Sequence, residues 1–258
     1  MKRSKRRSLG QHNLIDTQIL NRIVEVAKIN KNERVCEVGA GNGILTRELC
    51  KHSKSVISYE VDHKLVEKLK KTLSTTFSNL SLINCDFLKE KRDIKFDVFV
   101  SNIPYSKSKE ILEWLSLQKF NRAILMVQKE FADKLLANPG ETNYRTITVV
   151  SQYRFYIERL FNVKKESFDP EPSIESEIIR LYSKPDSITE RIITNINCLF
   201  SYRNKQTRSI SSKFGFDLDH CSGNNSRIDQ LNPLQLVNLA NLLPLRKNGI
   251  DSLPSLKR

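Results

Sequence analysis

Residues 34–49 read RVCEVGAGNGILTREL, and the fold turns on how this stretch is divided. RVCEVG is a short apolar run of the kind that forms a buried strand, and ILTREL opens a helix. The glycines between them, Gly39 and Gly41 first, let the backbone turn sharply and let a ligand approach where a Cβ would clash. This is not a dinucleotide loop. Counted from Gly39 and Gly41, the third glycine of GxGxxG would fall at position 44, which is Ile44. A pyrophosphate ligand is therefore disfavoured, while a ligand with an adenosine and no phosphate stays open.

Outward from this loop, apolar or alternating runs recur at 55–60, 80–85, 96–101, 123–128, 146–153 and 176–182, each predicting a strand. Residues 16–28 predict a helix with Ile19, Leu20, Ile23, Val24 and Ala27 on one face behind Asp16 as N-cap. HKLVEKLKKTL at 63–73 predicts another. Strands alternating with helices imply an α/β fold with a parallel sheet. After KPDS at 184–187 the strand signals stop. Ser187 and Glu190 form a capping-box pattern before Ile192, Ile193, Ile196 and Leu199, and Asn232-Pro233 opens a second helix through Leu236, Leu239, Ala240 and Leu243. The expected division is residues 1–185 and a small helical domain, 186–258.

The 258 residues carry 43 lysines and arginines against 29 acids, a net charge of +14, which points to a polyanionic partner such as nucleic acid or an anionic surface. Residues 186–258 hold ten basic and six acidic residues, so +10 lies on the first part. No apolar run approaches the ~18 residues that would span a bilayer, and no apolar stretch follows the basic MKRSKRRSLG, so neither a membrane protein nor a secreted one is expected. Cys36, Cys50, Cys85, Cys198 and Cys221 form no CxxC pair, which argues against a disulfide framework or a zinc site and for a cytoplasmic location.

Two acids stand at predicted strand ends. Glu60 lies nineteen residues past Gly41, where a carboxylate can accept from both hydroxyls of a ribose. Asp86, in NCDF, can accept from an adenine's exocyclic amine, with Phe87 beside the ring. The run FDVFV at 96–100 then ends in SNIPYSKSKE at 101–110. Ile103 precedes Pro104 and is held extended, and the proline brings no NH to satisfy a nearby carbonyl. Asn102 adds a side-chain carbonyl, and Tyr105 a flat face on which a base can stack. This set suits methylation of an exocyclic amine on a nucleobase. Such an amine is a poor nucleophile because its lone pair is delocalised into the ring. Two acceptors on its hydrogens draw it toward a tetrahedral shape, and no catalytic histidine or cysteine is needed.

With EVGAGNG, Glu60, Asp86 and NIPY in that order, the chain resembles the S-adenosylmethionine-dependent ribosomal RNA adenine dimethyltransferases. GQHNL at 10–14 is similar to the family's GQHFL or GQNFL, and FDPEPSIESEIIRL at 168–181 to its FxPxPxVxSxxxxL. SRIDQLNPLQLVNLANLL at 226–243 is similar to its closing helix. The resemblance implies a Rossmann-like class I methyltransferase sheet with a helical RNA-binding domain. It implies that His12, Leu14, Gly39, Gly41, Glu60, Asp86, Phe87 and Asn102 line the cofactor site. Asn102 and the Ile103 carbonyl would orient the target amine, and Tyr105 and Phe168 would sandwich a flipped adenine. Asn13 departs from the family, which often has an aromatic there.

The implied substrate is small-subunit ribosomal RNA or a pre-small-subunit particle, modified at two adjacent adenosines near its 3′ end by a monomer. QKEFADKLLANPGETNY at 128–144 looks like the archaeal and eukaryotic form of that branch. Two rivals stay open at this point. A close branch methylates a large-subunit adenosine and confers macrolide resistance, and other relatives serve as nucleic-acid-binding assembly or transcription factors. A small-molecule methyltransferase would share the glycine loop, but gives no reason for the charge or the base-stacking motif.

Overall fold

Successive residues of a strand point to opposite faces, and in the central strands both faces are apolar. Val98 and Val100 belong to one buried cluster and Phe99 to another; Ile124 and Met126 alternate in the same way with Ala123, Leu125 and Val127. Helices must therefore cover both sides. The structure, a computed structural model, describes residues 12–90, 94–215 and 225–243. The basic arm before His12 and Cys221 lie outside the described residues.

The chain opens with a two-residue strand β1 (Asn13–Leu14) and helix α1 (Thr17–Ala27), whose N-cap Asp16 accepts from the amides of Gln18 and Ile19. Then come β2 (Arg34–Val38), α2 (Ile44–His52), β3 (Ser55–Glu60), α3 (His63–Leu69), β4 (Leu80–Asn84), α4 (Phe87–Glu90), β5 (Val98–Asn102), α5 (Ser108–Ser116) and β6 (Arg122–Gln128). Helices α6 (Lys129–Leu135) and α7 (Thr146–Arg154) lead to β7 (Phe155–Val163), β8 (Phe168–Asp169) and β9 (Ser176–Ser183). The main sheet runs β4-β3-β2-β5-β6-β9-β7; pairing is parallel as far as β6, and β9 is antiparallel to both neighbours. Chain order reverses between β2 and β5, and ligands of such sheets sit outside the carboxyl ends at that point. Gly39, Glu60, Asp86 and Asn102 are all carried to that edge. A second, small sheet pairs β1 with β8, setting Leu14 opposite Phe168.

One predicted strand is a helix. TITVVSQY lies in α7, and the strand that follows, β7, had no clear alternation to announce it. Ile147 packs into the sheet cluster, while Val149 and Val150 pack into the cluster of the C-terminal helices. A helix buried on both sides shows no apolar stripe, and tertiary burial overrides the weak helix propensity of β-branched residues. The helices after β9, α8 (Glu190–Phe200), α9 (Thr207–Phe214) and α10 (Pro233–Leu242), thus share a core with α7. Thr189, not Ser187, caps α8 by accepting from the Ile192 amide, because the helix starts two residues later than the capping-box pattern implied. Asn232 caps α10 as expected, with Pro233 at its first position. Buried Arg154 ties the junction, donating to the carbonyls of Ser116, Lys184 and Asp186. No helix among the described residues is long and apolar enough to cross a membrane.

Candidate active site

Beyond β2 the loop takes left-handed backbone at Gly39, Gly41 and Gly43 (φ 86°, 56° and 81°), which favours glycine. At Gly41 a Cβ would lie 2.9 Å from Asn13 Oδ1, so the N-terminal segment packs directly on the loop. Glu60 holds the loop from the neighbouring strand: its Oε2 accepts from the Gly41 amide at 2.8 Å and its Oε1 from the Asp62 amide at 2.9 Å. Each carboxylate oxygen keeps a further lone pair for a ligand hydroxyl. Asp86 caps α4 through the Leu88 amide at 3.2 Å. Phe87 meets Tyr59 and Trp114 edge-on at 5.0 and 4.6 Å between centroids, which fixes its ring at the cavity wall.

Beneath this loop lies a group that sequence reasoning missed. Glu37, the last residue but one of β2, is fully buried; its Oε2 accepts from Thr46 Oγ1 at 2.7 Å and Ser58 Oγ at 2.6 Å, and its Oε1 has no partner among the described residues. Burial pushes its carboxyl up to about 7; the two hydroxyls pull it down and the charge of Glu60 adds to the rise. The signal available in the sequence was an acid between apolar residues on a strand predicted to be covered on both faces.

At the end of β5, Asn102 Nδ2 donates to the His12 carbonyl at 3.0 Å. That bond fixes the amide orientation and leaves Oδ1 at the cavity with no partner among the described residues. The His12 ring stacks on Tyr105 with centroids 5.5 Å apart and planes at 24°, and its Nδ1 donates to the Pro170 carbonyl at 2.7 Å. One face of Tyr105 is thus covered by the His12 ring. The Tyr105 hydroxyl meets Ser176 Oγ at 2.5 Å, and burial raises the phenol's pKa. Ser176 comes from the FDPEPSIES stretch, which joins the two sequence motifs through one hydrogen bond.

These groups enclose a cavity of about 360 Å3 lined by His12, Gly39, Gly41, Glu60, Asp86, Phe87, Asn102, Ile103, Pro104 and Tyr105 among others. Ten of the expected residues therefore meet in one place. Two do not. Leu14 and Phe168 pack together in the core and do not line the cavity; Phe168 is 3% exposed. Their pairing across β1 and β8 turns both side chains inward, so Phe168 offers no ring face to a base in this arrangement. Asn13, Tyr59, Val61 and Ile111 line the cavity without having been expected.

The profile of the ribosomal RNA adenine dimethylases matches residues 2–243. The chain belongs to the ribosomal RNA adenine dimethylase family. Within it, the chain is 35% identical over 240 residues to the ribosomal RNA small subunit methyltransferase A of Thermotoga maritima, covering 91% of this chain and 84% of that one. Among solved structures, a dimethyladenosine transferase from Plasmodium falciparum superposes with a TM-score of 0.76 at 28% identity, covering 88% of this chain and 96% of that one. The 23S rRNA methyltransferase ErmE superposes with a TM-score of 0.61 at 26% identity, over 89% and 98%. The fold is the α/β methyltransferase sheet. As a dimethylase of this family, the protein is an enzyme acting on ribosomal RNA adenine. Its similarities thus reach both a bacterial relative and a eukaryotic structure.

Proposed function

We propose that the protein transfers methyl groups from S-adenosylmethionine to the exocyclic amines of two adjacent adenosines near the 3′ end of small-subunit ribosomal RNA, within the assembling subunit. The observation that carries this is Asn102: its NH2 is tied to the His12 carbonyl, so its Oδ1 is presented as an acceptor in the cavity that Tyr105 also lines.

The cofactor fits the residues present. Glu60 offers lone pairs to a ribose, Asp86 an acceptor to an adenine amine, and Gly39 and Gly41 a backbone without Cβ atoms. When bound, S-adenosylmethionine supplies an electrophilic methyl on a sulfonium whose leaving group is a neutral thioether. The protein's own task is then to prepare the amine. Tyr105 stacks the flipped base. Asn102 Oδ1 and the Ile103 carbonyl accept its two N–H bonds, weakening conjugation with the ring and exposing the lone pair. These acceptors are fixed before the reaction, by the His12 carbonyl and by the proline that follows, so little reorganisation is needed.

We place the boundary between catalytic and RNA-binding parts at 185/186, supported by the end of the strands at Ser183. A cytoplasmic monomer is the form expected to act. Transfer of labelled methyl to small and large ribosomal subunits from a strain lacking the protein tests the reading. Dimethylated neighbouring adenosines near the small-subunit 3′ end are expected. Label on the large subunit, or RNA binding without label, would overturn it.

A further inference from the structure

A second cavity, of about 660 Å3, shares Tyr105 and Ser106 with the catalytic one and runs between the sheet and the C-terminal helices. Its walls include Ser108 of α5, Phe131 and Lys134 of α6, Arg145 before α7, and Phe200 and Arg203 at the end of α8. Most of the cations have partners: Lys134 pairs with Glu130 at 2.6 Å, and Arg203 reaches Asp229 at 3.4 Å. Arg145 does not. The residue is half-buried and lines the cavity; its guanidinium donates to the Tyr144 carbonyl at 3.1 Å and meets no carboxylate within ion-pairing distance among the described residues. A partly desolvated cation without a counter-charge is costly, and the guanidinium fork matches a phosphate. Ser108 is the second sign. It is 2% exposed, and its hydroxyl has no hydrogen-bond partner among the described residues. Phe131 and Phe200, both half-buried, add apolar surface against which a base can lie.

We propose that this cavity seats the nucleotide next to the target adenosine, with its phosphate on Arg145 and its base against Phe131 and Phe200. The proposal rests on the ribosomal RNA reading above. When one base enters the catalytic cavity, its chain neighbour is one phosphodiester away, and this cavity begins at the residues that would hold the target. Seating the neighbour fixes the register of the strand, so that two adjacent adenosines can be presented in turn by a one-nucleotide shift.

The test uses the full chain, small ribosomal subunits from a strain lacking the protein, and labelled methyl donor. In Arg145→Ala, kcat/KM for subunits should fall about ten-fold, and the slope of its logarithm against log salt should shrink by about one, the signature of one lost phosphate contact. Affinity for the methyl donor should be unchanged, and Arg145→Lys should restore the slope. Phe200→Leu, which keeps bulk and removes the flat ring, should lower the ratio of doubly to singly modified RNA. Unchanged slope and kcat/KM in Arg145→Ala would overturn the proposal, as would an equal loss of donor affinity, which would mark a structural role. An unchanged modification ratio in Phe200→Leu would overturn the seat for the base. If the wild-type chain labels no subunit, the reading of function itself fails and this proposal with it.

Discussion

Replacing Asn102 separates the chemistry from the cofactor site. Asn102→Ala removes Oδ1, the acceptor aimed at the target amine; groups of this preorganised kind contribute about 10²–10³ in kcat, or about 3–4 kcal/mol. It also removes the Nδ2 bond to the His12 carbonyl at 3.0 Å, which holds the N-terminal segment over the glycine loop. A single neutral hydrogen bond is worth about 0.5–1.5 kcal/mol net, so anything depending on that segment should weaken by about ten-fold at most. The expected result is a kcat loss of at least two orders of magnitude with a much smaller loss of donor affinity. Asn102→Asp inverts the pattern. It keeps an acceptor of the same shape but sets a carboxylate oxygen against the His12 carbonyl with no proton between them. It should retain more kcat than the alanine variant and bind the donor less well. Single-turnover methyl transfer at saturating donor measures the first quantity and titration calorimetry the second. Equal losses of kcat and donor affinity in Asn102→Ala, or wild-type affinity in Asn102→Asp, would refute the division of roles.

Glu60→Ala should weaken donor binding before it affects the chemical step, and should lower unfolding stability by about 2 kcal/mol or more, because the Gly41 and Asp62 amides lose their acceptor. Full stability in urea with binding lost would show that the carboxylate does not anchor the loop. Glu37 predicts a pH dependence. Its carboxyl titrates near 7 in the folded chain against an ordinary 4.5, so the native state keeps a proton that the unfolded chain has released. Its stabilising contribution is therefore complete below about 4.5 and is lost as the pH rises through about 7, a change of about 3 kcal/mol. Glu37→Gln should flatten the fall in urea midpoint between pH 5 and 8, and an identical fall in both chains would contradict the assignment.

The sequence by itself determined the α/β class, the glycine loop and the order of acids along the strands. These are local matters: period-two burial, glycine where the backbone turns left-handed, and a proline that ends β5. The parallel order then brings Gly39, Glu60, Asp86 and Asn102 to one edge, so much of the site was legible. Tertiary structure alone decided the rest. TITVV is a helix because it is buried from both sides, a condition no window of sequence records. Phe168 faces the core because β8 pairs with β1 from the other end of the catalytic part. Asn102 presents its oxygen because a carbonyl ninety residues away, at His12, takes its NH2. Pairings between distant segments set which face a side chain turns and which of its atoms remain free, and residue identity and spacing do not encode them.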